Sequence, residues 1–104
     1  MAEVLKAVRE RPSAIVLDPA DNVAVALRAL AEGEEIVVED APLRATAPIP
    51  TGHKLARRGI DEGDAVLKYN ETIGIASAPI AAGEHVHVHN VESSRLPGPE
   101  GGAR

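Results

Sequence analysis

The chain has no cysteine, phenylalanine or tryptophan, and one tyrosine, Tyr69, is its only aromatic residue besides histidine. Lack of cysteine excludes disulfides, thiolate zinc sites, cysteine-held iron–sulfur clusters and a thiol nucleophile. Lack of large rings removes stacking platforms for bases and sugar faces, and leaves the core to Val, Ile, Leu and Ala. No apolar run nears the roughly 20 residues that cross a bilayer, and residues 1–12 contain no signal-peptide core. Positive charge is also short. Eleven Lys and Arg against 16 Asp and Glu leave a net charge of −5, which argues against phosphate tracking along nucleic acid. The expectation is a cytoplasmic protein with neither a membrane nor a nucleic-acid partner.

What remains is enough for one small domain of 104 residues. Residues 1–12 read as an N-terminal extension, 13–91 as the domain, and 92–104, polar and rich in Gly and Pro, as a disordered tail. Ala14 to Leu17 reads as a strand closed by Asp18-Pro19. Asp21 as N-cap, then Val23, Ala26, Leu27 and Leu30 at helical spacing, then Gly33, predicts one short helix. A pattern of an apolar residue, Gly three positions on and an apolar residue three further recurs four times. Its members are Leu30-Gly33-Ile36, Ile49-Gly52-Leu55, Ile60-Gly63-Val66 and Ile80-Gly83-Val86. Each is a tight turn between two core anchors, followed by a short strand: 36–38, 54–56, 65–69 and 85–91. The predicted class is mainly β with one short helix.

The chemistry-bearing segment is Gly83-Glu-His-Val-His-Val-His-Asn90. On a strand, His85, His87 and His89 share one face, and Val86 and Val88 share the other, which is expected to be buried. Two imidazoles so spaced can ligate one metal ion or flank one anion. The same alternation also suits any half-exposed strand. A second motif, Pro50-Thr-Gly-His-Lys54, carries the fourth histidine, His53. Lys54 is either an exposed lysine or a group that binds a carboxylate or takes a proton. A third, Lys68-Tyr-Asn-Glu-Thr-Ile-Gly74, ends a strand in a hairpin turn; either Lys68 and Tyr69 set a cation and a phenol at one site, or Tyr69 is a core-edge residue, the reading favoured. Asp18 and Asp21 read as turn and cap residues, Arg57 and Arg58 as solvated. No nucleophile elbow, phosphate loop or HExxH helix is present. A domain this small makes a poor cleft, so a catalytic site needs a wall from another chain.

These three motifs, with Asp18-Pro-Ala-Asp-Asn-Val-Ala-Val-Ala-Leu27, resemble the N-terminal SAF domain of the altronate/galactarate dehydratase family, which includes the sulfolactate sulfo-lyase small subunit. The resemblance covers Ala14 to Val91 and implies a β-clip fold. It departs at Asn70, where the family tends to have Gly; Asn also tolerates the left-handed turn conformation. It implies a lyase subunit that acts with a larger dehydratase-like catalytic subunit on a small hydroxy acid, using a divalent metal, Fe²⁺ or Mn²⁺, held on this chain or on the partner. On this reading His85, His87 and Lys54 are catalytic. His53, Lys68 and Asn90 bind substrate, and His85 and His87, with His89 a weaker member, are metal ligands. The alternatives are a non-catalytic module that docks on a larger subunit and, ranked below it, an independent metal-binding protein that uses the histidine stripe. Pairing of copies through an edge strand stays open.

Overall fold

A computed structural model describes residues 12–93. Nine short strands follow one another: β1 (Ala14–Ile15), β2 (Val23–Ala26), β3 (Glu35–Val38), β4 (Ala41–Arg44), β5 (Lys54–Ala56), β6 (Ala65–Lys68), β7 (Glu71–Ala76), β8 (His85–Val86) and β9 (Val91–Glu92). They form three antiparallel sheets, in the orders β1-β2-β5-β8, β3-β4 and β6-β7-β9. Most of the expected N-terminal extension and tail lie outside the described residues.

The mainly β class holds, but the expected helix is absent. Its first half is β2, which pairs with β1 on one side and β5 on the other. Val23, Ala24 and Ala26 are all buried, because β2 lies at the centre of its sheet. A strand buried on both faces shows a continuous apolar run, and Val-Ala-Val-Ala-Leu imitates a helical stripe. Leu27, assigned to that stripe, is 45% exposed. The strand expected over 85–91 is also shorter: β8 ends at Val86, and Val88, expected in the core, is 81% exposed.

The glycine turns order the rest, and they make the molecule an internal repeat. Leu30 and Ile49 exchange two backbone hydrogen bonds (2.8 and 2.9 Å), as do Ile60 and Ile80 (both 2.8 Å). Gly33 N–H donates to the Ala45 carbonyl at 2.7 Å, and Gly63 N–H to that of Ala76 at 2.8 Å. Gly52 N–H reaches the Ala26 carbonyl and Gly83 N–H that of Ala56, at 2.8 and 2.7 Å. Each half is thus a strand, a glycine turn, a hairpin, a second glycine turn and a strand, and β5 serves both. All four glycines take φ between 84° and 91°. At Gly83 space is decisive as well, since a Cβ there would lie 1.8 Å from the Arg44 carbonyl oxygen. Two apolar clusters match the halves. One gathers Leu30, Ile36, Leu43, Ile49 and Leu55, the other Val23, Ile60, Val66, Ile80 and Val86.

Candidate metal centre

The turn at Gly52 delivers His53 to the start of β5, where its carbonyl accepts from Ala26 N–H at 2.8 Å. β5 pairs with β8 in the register Lys54↔Val86 and Leu55↔His85. One further step of that register sets His53 opposite His87. The rings obey it: the His53 and His87 centroids are 4.4 Å apart, with their planes 23° from parallel. His53 Nδ1 lies 2.9 Å from His85 Nε2, so one ring donates and the other accepts, the roles depending on tautomer. His85 and His87 stack at 5.4 Å. Each of the three offers a ring nitrogen, and all three nitrogens lie within 4.8 Å of one another.

His89 stands outside this group. It is exposed, and its ring tilts 41° from that of His85 at 5.4 Å. Lys54 is half-buried beside the histidines, and burial, then the charge of Lys68, pushes its pKa down. Lys54, His87, Val88, Ile73, Val91, Glu92 and Ser93 line an open groove of about 280 Å³. Asn90 is buried, and its amide bonds to the main chain of His85 and His87. Tyr69, read from sequence as a core-edge residue, is 63% exposed on the β6–β7 turn.

Partial burial is the main cause that lowers the pKa of His85 and of His87, and the neighbouring imidazoles and Lys54 add to it. Near neutral pH these rings therefore keep a free nitrogen lone pair, the form that binds metal. Ligand nitrogens about 2.0–2.1 Å from a zinc-sized ion lie within roughly 4 Å of one another, so small ring rotations suffice. Three imidazoles without a carboxylate suit iron or zinc better than manganese.

Asp21 and Asn22 were not singled out for the part they play, although both stand in the Asp18–Leu27 motif. Asp21 is fully buried, and its two carboxylate oxygens accept from Tyr69 N–H (2.9 Å) and Asn70 N–H (2.7 Å). It is a cap, but of a hairpin turn 48 residues away rather than of a helix. Asn22 donates to the Ala65 carbonyl and accepts from Leu67 N–H, bracketing the register shift between Val66 and Leu67. Arg57 and Arg58, expected to be solvated, both donate to the Asp21 carbonyl (2.8 and 3.2 Å).

Residues 12–94 match the model of the altronate/galactarate dehydratase SAF domain. The chain belongs to this family. Altronate dehydratase of Escherichia coli is 47% identical over 74 residues, 71% of this chain and 15% of that protein. Altronate dehydratase of Bacillus subtilis is 39% identical over 82 residues, 79% of this chain and 16% of that protein. The (2R)-sulfolactate sulfo-lyase subunit alpha of Paracoccus pantotrophus is 45% identical over 56 residues, 54% of this chain and 84% of that protein. The chain thus spans about a sixth of the dehydratases it matches and most of that subunit.

Proposed function

We propose that this SAF domain is the small subunit of a metal-dependent lyase, and that it supplies one wall of an active site completed by a larger dehydratase-like chain. One observation carries the reading: two glycine turns bring three ring nitrogens, those of His53, His85 and His87, within 4.8 Å of one another. The relatives support the division of labour. One is named as a subunit and matched over 84% of its length, whereas the dehydratases carry the matched region in 15–16% of theirs. The reading goes with a cytoplasmic location and a small hydroxy-acid substrate derived from a sugar acid or a sulfonate.

His53, His85 and His87 would hold a divalent ion, the all-nitrogen donor set favouring iron or zinc over manganese. Such an ion supplies Lewis-acid stabilisation of charge on substrate oxygens. Lys54 pairs its Nζ with the substrate carboxylate, and partial burial strengthens that pairing by excluding water. Lys68 adds a second positive charge on the same side. Loss of the β substituent needs a base at the α proton. With the ring nitrogens engaged as ligands, that base comes from the larger chain, across the groove at Lys54 and His87. His89, exposed at the rim, supports the site without holding the ion.

The test is lyase turnover of the assembled complex carrying His87→Ala. A loss of about 10²-fold or more is expected, because groups that act at the reacting centre contribute on that scale. A loss below about tenfold would contradict the reading. Intact turnover per assembled complex with weakened assembly would instead identify a docking module.

A further inference from the structure

The family resemblance implies a substrate contact for Asn90, yet its side chain is buried. Only 3% of the residue is exposed. Its Nδ2 donates to the His85 carbonyl at 2.8 Å, and its Oδ1 accepts the His87 N–H at 3.0 Å. Its own N–H donates to the His87 carbonyl at 3.1 Å, and its carbonyl accepts from Ser77 N–H at 2.9 Å. Both backbone polar groups of His87 therefore bond to Asn90. The strand does not take over that role, because the pairing of β8 with β5 ends at Val86.

The geometry points to Asn90 as the positioning residue of the three-histidine group, an inference that rests on the metal-site reading and goes beyond it. A carbonyl at one residue and an N–H two residues on are the groups that one residue of a parallel strand would bond. The Asn90 amide takes that place where the strand has run out. Val86, fully buried between the two histidines, pins the same tripeptide from its other side. With main chain fixed on both sides, the rings of His85 and His87 keep their common direction and meet His53. An amide is required for this, since one end must donate and the other accept. Asn22 brackets Ala65 and Leu67 in the same way on the second hairpin, with no histidine involved, and serves as an internal control.

The experiment compares the full chain with Asn90→Ala, Asn90→Asp and Asn22→Ala, using zinc titration and metal-free NMR of the histidine ring nitrogens. Asn90→Ala is expected to weaken zinc binding at least tenfold, within the 10–100-fold range of groups that orient metal ligands. Asn90→Asp keeps the acceptor and loses the donor, so it falls between Asn90→Ala and the wild type. Asn22→Ala lowers the melting temperature but leaves affinity within threefold. Asn90→Ala binding within threefold of wild type, or Asn22→Ala losing as much affinity, overturns the assignment. If the wild type takes up no zinc at micromolar concentration, the metal reading fails and the ring signals decide. Altered His53 and His87 ring shifts in Asn90→Ala alone would still uphold the positioning role, and unchanged shifts would refute it.

Discussion

The β3–β4 hairpin turns on Glu39 and Asp40, with φ of 52° and 66°, and the β6–β7 hairpin on Tyr69 and Asn70, with φ of 57° and 59°. Two consecutive positive φ values mark the tight turn whose twist suits a two-residue hairpin. Neither turn has glycine; Asp40 and Asn70 are residue types that enter the left-handed region readily, so the strain, about 1 kcal/mol or more in each turn, falls on Glu39 and Tyr69. The two are held differently. Glu39 and Asp40 are exposed, and among the described residues no carboxylate closes their turn. Tyr69 N–H and Asn70 N–H both end on the buried carboxylate of Asp21, while Asn22 braces the register shift behind them. The braced hairpin is the one that carries Lys68 and lends Ile73 to the groove wall. Strain at the plain hairpin is only tolerated. At the braced hairpin, surrounding structure fixes it beside the groups proposed to act.

The largest effect should come from removing that brace. Asp21→Ala strips two N–H groups of their acceptor in a buried setting, and a loss of about 3 kcal/mol in urea unfolding is expected. A loss below about 1 kcal/mol would show the two hairpins to be equally self-sufficient. The next effect depends on pH. His85 and His87 titrate below their ordinary value in the folded state, so the unfolded chain binds more protons just below pH 6.5. Stability is therefore complete above about pH 6.5 and is lost as pH falls through the native values. Hydrogen exchange, corrected for intrinsic rates, should show opening of 85–90 becoming easier between pH 7.5 and 5.5, with β3–β4 unchanged. Equal changes at both ends would break the comparison. The smallest effect lies at the plain turn. Glu39→Gly should stabilise by about 0.5 kcal/mol, by relieving left-handed strain against the added chain entropy of glycine. Asn70→Gly should change little, because Asn already accepts this conformation. Thermal unfolding of the two variants distinguishes them.

Most of the turn plan was legible. The four apolar-Gly-apolar sets are the two glycine turns of each half, since a backbone needing positive φ leaves its mark at single positions. β2 was misread because burial on both faces erases the alternation that identifies a strand. Val88 was misplaced because alternation holds only while a strand continues, and β8 stops at Val86. The grouping of His53 with His85 and His87 depends on the β5–β8 register, a long-range fact that local periodicity does not contain. The Asp21 brace was illegible for the same reason: its partners are 48 and 49 residues on. Family resemblance supplied what local patterns could not, by marking 18–27 and 50–54 as parts of one unit with 82–90.

The central claim is that the ion-holding group spans two turns, rather than one histidine stripe. Calorimetric titration of the full chain with zinc at pH 7.5, for wild type, His53→Ala and His89→Ala, tests it directly. One ion per chain at micromolar affinity or better is expected for the wild type, a loss of about tenfold or more for His53→Ala, and a change within threefold for His89→Ala. Wild-type affinity in His53→Ala together with lost binding in His89→Ala would contradict the claim.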